Sequence, residues 1–438
     1  MTNSTEKRRE ILRLVSEYYQ QAFSPKEFIP GETPVRYAGR VFSDEELRYA
    51  VDASLDFWLT AGRFSKELEV SLSDYYDLDT ALLVNSGSSA NLVAFSALTS
   101  PVLGDNRICP GDEVITVAAG FPTTINPIIQ NGAVPVFIDV ELGTYVPSVE
   151  AIASAITSRT KAVMIAHTMG IPYDVAAMKE LCKEKGIWLV EDCCDALGSK
   201  LNGKLLGTFG DIATLSFYPA HQMTMGEGGA VLTNNEDLAR VARSFRDWGR
   251  DCYCSGGENN TCGKRFSQQF GTLPLGFDHK YVYSHIGYNL KVTDIQAAIG
   301  CAQFKKLDGF IKARRSNWAA LTEKLQPYRD QLILPQTPAN SEPCYFGYVI
   351  TVADEAAFTR NELTRYLEEA KIETRNLFCG NIICQPAYSN TAYRVHGELT
   401  NTDLIMNNTF FIGVYPGLTE RHIQHISEVF EVFMKEHA

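Results

Sequence analysis

No run of apolar residues in this chain of 438 residues reaches the roughly 20 that a membrane-spanning helix needs. Basic residues are also in deficit, with 40 Lys and Arg against 52 Asp and Glu and a net charge of −12. That balance argues against a general nucleic-acid binder, whose surface is usually basic. It leaves room for a local basic pocket that takes a phosphorylated substrate. The start of the chain lacks a secretory-signal pattern; its charged opening leads into Ile11, Leu12, Leu14, Val15, Tyr18 and Tyr19 at helical spacing. A cytoplasmic protein is the expectation. Internal repeats and low-complexity linkers are missing as well. With 45% of residues hydrophobic, the length predicts two or three domains around a large core.

Cysteine is plentiful. Eleven are many for a compartment where disulfides rarely persist, so thiolates free to bind a metal become the question. Cys109, Cys182, Cys301, Cys344, Cys379 and Cys384 are scattered and read as small buried side chains.

Between residues 80 and 235, short apolar runs at 81–84, 113–117, 134–140, 162–167, 187–191, 212–217 and 230–233 alternate with helical patterns such as 148–156 and 175–184. The alternation predicts an α/β fold, a mostly parallel sheet with helices on both faces and ligands at the carboxyl ends of the strands. Residues 252–285 break the pattern: they are rich in Gly, Asn and aromatics and have no period. So long an irregular stretch inside a compact enzyme is usually functional. One long helix is predicted over 293–325. A strand near 344–353 and helices near 360–370 and 419–435 predict a smaller C-terminal α+β domain. The expected division is an N-terminal helix and arm at 1–45, a large domain at 46–310 and a small one at 311–438.

Val84-Asn85-Ser86-Gly87-Ser88-Ser89-Ala90-Asn91 joins a predicted strand to a predicted helix. Small residues there let backbone N–H groups approach an anion, and the helix start favours negative charge; the same turn can also simply cap the helix. Val190-Glu191-Asp192 ends another strand. A carboxylate at that edge can keep a pyridine nitrogen protonated, or serve as an N-cap. Together with Ser216-Phe217-Tyr218-Pro219-Ala220-His221, the run Gly226-Glu227-Gly228-Gly229 and Gly287-Tyr288-Asn289, their order and spacing resemble the DegT/DnrJ/EryC1/StrS family of nucleotide-sugar aminotransferases and dehydratases. The resemblance extends from about Phe42 to the segment 411–417. It implies the aspartate-aminotransferase fold, with Ser88, Ser89 and Ser216 on the coenzyme phosphate, Phe121 on the pyridine ring and Asp192 on its nitrogen. It also implies a homodimer in which Asn289 reaches the phosphate of the neighbouring subunit. Lys291 stands where many members have arginine.

His221 occupies the position of the family's lysine, whose amine holds pyridoxal phosphate covalently and shuttles protons. An imidazole can do only the second. Three readings follow: a transaminase homologue that only binds, a transaminase with an unusual proton carrier, and an enzyme using exchangeable pyridoxamine phosphate. The intact phosphate turn and the glycine run at 226–229 count against the first. Slow product release without a lysine counts against the second. In the third, the coenzyme amine condenses with a substrate ketone, His221 removes a proton from C4′, and a hydroxyl leaves the neighbouring carbon.

Cys194, Cys252, Cys254 and Cys262 are spaced C-x57-C-x1-C-x7-C. Spacing alone leaves zinc, a [2Fe–2S] cluster and no metal open. The stretches around Asp192-Cys193-Cys194-Asp195, His221 and Arg246-Asp247-Trp248-Gly249-Arg250-Asp251-Cys252 are similar to the family's CDP-4-keto-6-deoxy-D-glucose 3-dehydrase branch, which opens 3,6-dideoxyhexose synthesis. That resemblance implies pyridoxamine phosphate, a [2Fe–2S] cluster on those four cysteines and a flavin/iron–sulfur reductase as electron donor. Cys193 is then not a ligand, while Asp195, Tyr218 and Phe346 shape the proton path and hold the intermediate. Relatives with the same cysteine spacing use dTDP sugars, so a dTDP-4-keto-hexose is the alternative substrate.

Overall fold

A computed structural model describes residues 2–24 and 26–437. Along each central strand, successive side chains enter two different cores. Leu83, Ile115 and Val163 pack on one face of the sheet, and Leu82, Val114 and Ala162 on the other. Burial on both faces is why these strands read as continuous apolar runs.

The main sheet has eight strands in the order Thr80–Val84, Gly229–Thr233, Ile212–Ser216, Trp188–Asp192, Thr160–Ala166, Glu113–Val117, Val134–Ile138 and Arg394–Val395. Gly229–Thr233 runs antiparallel to both neighbours; the other pairings are parallel. The fold is therefore α/β with a large, mostly parallel sheet. A second sheet of four antiparallel strands, including Gly347–Val352 and Thr409–Gly413, has its own core around Tyr348, Ile350, Phe410, Ile412 and Phe430. None of the described helices is long and apolar enough to cross a membrane.

Two features differ from expectation. The single helix expected over 293–325 is two, Asp294–Phe304 and Leu307–Leu325, joined at Lys305 and Lys306. Lys306 turns its ammonium onto the carboxylate of Glu46, 2.6 Å away, which ties the joint to the helix Asp44–Asp56. The boundary expected at 310 falls inside Leu307–Leu325, and Arg394–Val395 returns from the C-terminal part to the edge of the main sheet. Residues 252–285 are irregular, as expected, apart from one 3-10 turn at His279–Tyr281.

Candidate active site

Strands Thr80–Val84, Glu113–Val117, Thr160–Ala166, Trp188–Asp192 and Ile212–Ser216 end at one edge of the sheet. The loops beyond them enclose a cavity of about 530 Å³ whose wall includes Ser88, Phe121, Asp192, Cys194, Ser216 and His221. Residues distant in sequence therefore meet where a parallel sheet presents its ligand site.

The phosphate turn is built by local capping. Ser86 is the N-cap of helix Gly87–Leu98, and its hydroxyl accepts the Ser89 backbone N–H at 3.0 Å. Gly87 lies so close to Ser216 that a β-carbon on it would come within 2.4 Å of the Ser216 Cβ. Ser88 and Ser216 thus share one wall of the cavity, while the Ser89 N–H is already occupied by the cap. Asn289 does not line the cavity. Its carboxamide accepts from Lys291 Nζ at 2.7 Å, and its backbone bridges to Asp247.

Asp192 is buried, and both of its carboxylate oxygens are held. One accepts from Asn91 Nδ2 at 2.8 Å and Thr124 Oγ1 at 2.6 Å, and the other from the Cys194 N–H at 3.0 Å. Thr214 Oγ1 in turn donates to Asn91 Oδ1 at 2.6 Å, fixing the amide orientation. Such a carboxylate cannot rotate and presents a fixed charge to a ring nitrogen. Phe121 N-caps helix Pro122–Gln130, and its ring, nearly half exposed, meets Phe378 edge-on at 5.5 Å. Its free face suits an aromatic ligand. Fixed carboxylate, small-residue turn and open ring together fit a pyridoxal or pyridoxamine phosphate.

His221 follows strand Ile212–Ser216 in a turn closed by its N–H to the Tyr218 carbonyl at 3.0 Å. The guanidinium of buried Arg314 donates to the His221 carbonyl at 2.8 Å and to the Tyr345 and Phe346 carbonyls at 3.1 Å. The imidazole lies 5.2 Å from the Phe346 ring and 6.4 Å from that of Tyr218, centroid to centroid. Its Nδ1 is 3.5 Å from Asp195 Oδ1 and has no hydrogen-bond partner among the described residues. Burial, reinforced by Arg314, pushes the imidazole down to about 3, whereas burial and the charge on Asp192 push the Asp195 carboxyl up to about 7. Near neutral pH the histidine is an unprotonated base and the aspartate sits at its titration point. By nitrogen NMR of the coenzyme-free protein we expect the His221 ring to keep neutral-imidazole shifts between about pH 8 and 5, with only a small displacement as Asp195 titrates near 7. Full conversion to imidazolium shifts with a midpoint near the ordinary 6.5 would show the ring to be solvated instead.

The cysteines divide. Cys252, Cys254 and Cys262 line one small cavity with His279, Arg265 and Lys280, whereas Cys194 lines the coenzyme cavity. His279 is buried, with Nδ1 3.5 Å from Cys262 Sγ and Nε2 2.6 Å from Asp251 Oδ2. The Lys264 N–H lies 3.4 Å from the same sulfur. His279 holds the Cys262 thiol below the ordinary thiol range. At Cys254 burial acts upward, but donors on Thr261 outweigh it and bring the thiol below that range too. Burial instead raises the Cys252 thiol, and burial with the charge on Asp192 raises that of Cys194 further, so two of the four thiols have the thiolate-favouring surroundings that suit metal ligands. Within one chain, however, three of the four thiols line one cavity and Cys194 lines another. Among the described residues, the one close cluster of metal-ligating atoms is His167, Glu191 and Cys193, all fully buried beneath the sheet edge.

Sequence reading missed several of the residues that build the site. Asn91 closes the phosphate-turn motif and was visible there. Thr124, Thr214 and Arg314 carry no local signal, because their partners are distant in the chain.

The model for the DegT/DnrJ/EryC1/StrS aminotransferase family matches residues 42–431. The lipopolysaccharide biosynthesis protein RfbH of Salmonella typhimurium is 52% identical over 97% of this chain and 98% of its own length. The dTDP-4-dehydro-2,6-dideoxy-D-glucose 3-dehydratase of Saccharopolyspora spinosa is 50% identical over 97% of this chain and 91% of its own. Among solved structures, an E. coli GDP-4-keto-6-deoxy-D-mannose-3-dehydratase with bound hydrated PLP superposes with a TM-score of 0.81. It has 26% identity and covers 90% of this chain and 98% of that one.

Proposed function

Because the chain belongs to the DegT/DnrJ/EryC1/StrS aminotransferase family, we propose that it is a nucleotide-sugar 3-dehydrase dependent on pyridoxamine phosphate and a [2Fe–2S] centre. Its substrate is CDP-4-keto-6-deoxy-D-glucose, and the reaction is the C3 dehydration that opens 3,6-dideoxyhexose formation, in the cytoplasm and in a homodimer. A flavin/iron–sulfur reductase supplies electrons one at a time. The observation that carries this reading is His221, a base without an amine, lining the same cavity as the immobilised carboxylate of Asp192. The sugar 3-dehydratases among the relatives support the reaction class.

When bound, the coenzyme supplies an amine for the substrate ketone and a ring that accepts electrons. The rest falls to the chain. Ser88 and Ser216 receive the phosphate, and Phe121 covers the ring. Asp192 keeps the ring nitrogen protonated, which draws electron density away from C4′. His221 takes the proton from C4′. Asp195, 3.5 Å from Nδ1, places a second titratable group beside the base. Phe346 and Tyr218 confine it from the sides. Arg314, by gripping the His221 carbonyl, keeps the base from withdrawing.

The iron–sulfur centre, when bound, carries one electron at a time. Cys252, Cys254 and Cys262 would supply three of its ligands and Cys194 the fourth. The dTDP-sugar relative favours a second reading, a dTDP-4-keto-hexose as substrate. Side-by-side turnover of CDP- and dTDP-4-keto-6-deoxyglucose, with pyridoxamine phosphate and an electron donor, tests both. We expect C3 deoxygenation of the CDP sugar. Turnover of the dTDP sugar alone would reassign the base, and turnover of neither would leave a protein that only binds nucleotide sugars.

A further inference from the structure

The loop 252–285 holds three thiols, and the fourth of the proposed set is in another cavity. The loop cannot simply swing across. The Asp251 N–H donates to the Val282 carbonyl at 2.9 Å, and Arg250 bridges to Tyr283. Arg265 grips Asp278 through two hydrogen bonds of 2.7 and 2.6 Å. Gly249, at φ +81°, sits where a β-carbon would lie 1.9 Å from the His285 carbonyl oxygen. The returning chain is pinned as well, because the Asn85 N–H donates to the Leu290 carbonyl at 2.8 Å.

The same loop leaves large apolar side chains in water. Phe266 is 63% exposed and Leu275 76%, with Tyr253, Tyr281 and Tyr283 each more than half exposed, and Ile286, just past the loop, is 96% exposed. On a chain of net charge −12 such a concentration is out of place unless another surface covers it. Cys194, by contrast, is half-buried and lines the coenzyme cavity. One loop needs a fourth thiolate and a cover; one cavity offers a thiol. A second copy of this chain brings both.

We propose that the iron–sulfur centre is shared between two copies, Cys252, Cys254 and Cys262 coming from one and Cys194 from the other. This rests on the dehydrase reading above and goes beyond it. It makes dimerisation a condition of cluster assembly, and it places the centre beside the coenzyme of the copy that contributes Cys194.

Mixed dimers decide the matter. Chains carrying Cys194→Ser and Cys254→Ser, each with its own affinity tag, are co-expressed. The doubly tagged dimer is then isolated and reconstituted with iron and sulfide beside the parent and both homodimers. If the centre is shared, each homodimer has none. The mixed dimer has one intact set, with about half the parent's iron, sulfide and visible absorption per chain. If all four ligands come from one chain, the mixed dimer is as empty as its parents, and the proposal falls. A Cys194→Ser homodimer that keeps its full centre also overturns it, and would move the fourth ligand into the loop, where His279 stands. A parent that takes up no iron or sulfide fails the dehydrase reading instead. Cys252→Ser in place of Cys254→Ser guards against a folding defect, and an unchanged circular dichroism spectrum and thermal transition in each variant report an intact fold.

Discussion

His221→Asn should bind pyridoxamine phosphate as the parent does yet turn over the nucleotide sugar on the order of 10²- to 10⁴-fold more slowly, the loss typical of removing a general base. The asparagine is close in size to the ring it replaces. The turn is held through backbone, by the His221 N–H on the Tyr218 carbonyl and by Arg314 on the His221 carbonyl, so it survives the change. The groups that fit the coenzyme, namely Asp192 with its donors, the Ser86 cap and Phe121, lie on other elements. Coenzyme affinity measured by equilibrium dialysis and kcat measured with a reductant should therefore separate. A parallel fall in both would make His221 a binding group and remove the proton-transfer role. His221→Lys is the useful companion: an amine at that place should capture pyridoxal phosphate covalently, and borohydride should fix it there.

The parts of this molecule legible in its sequence are those whose partners are local or periodic. Two-faced burial makes Glu113–Val117 and Ile212–Ser216 continuous apolar runs, and their ends position the site. The phosphate turn and Asp192 stand out because small residues or an acid directly follow a strand. The break between Asp294–Phe304 and Leu307–Leu325 was illegible, since Lys305 and Lys306 are good helix formers and carry neither glycine nor proline as a stop. What decides it is a distant carboxylate, Glu46. Arg394–Val395 joins the main sheet with two residues, too few to show a period. Arg314 looks like any charge on a helix until its carbonyl partners are known. The cysteine spacing was legible as a pattern but not as a place. Nothing in it says that Cys194 faces one cavity and the other three another.

That separation gives Cys254→Ser its diagnostic value. The serine keeps the shape of the loop but not a soft thiolate, so iron and labile sulfide should be lost, and with them all reductase-supported deoxygenation. The coenzyme cavity does not include Cys254. Proton exchange at C4′, which the proposed mechanism assigns to His221 and Asp192, should persist at near-parental rate when substrate and pyridoxamine phosphate are present. Deuterium uptake into the coenzyme, followed by mass spectrometry, reads the first half of the reaction, and reduced sugar product reads the second. Retained exchange with no deoxygenated product separates a proton-transfer site from an electron-transfer site. Equal loss of exchange and product would instead mean that the loop 252–285 is needed to build the coenzyme cavity. Metal analysis tells these apart from a third outcome, stoichiometric zinc without sulfide, in which the three thiols serve structure and the dehydration proceeds without an iron–sulfur centre.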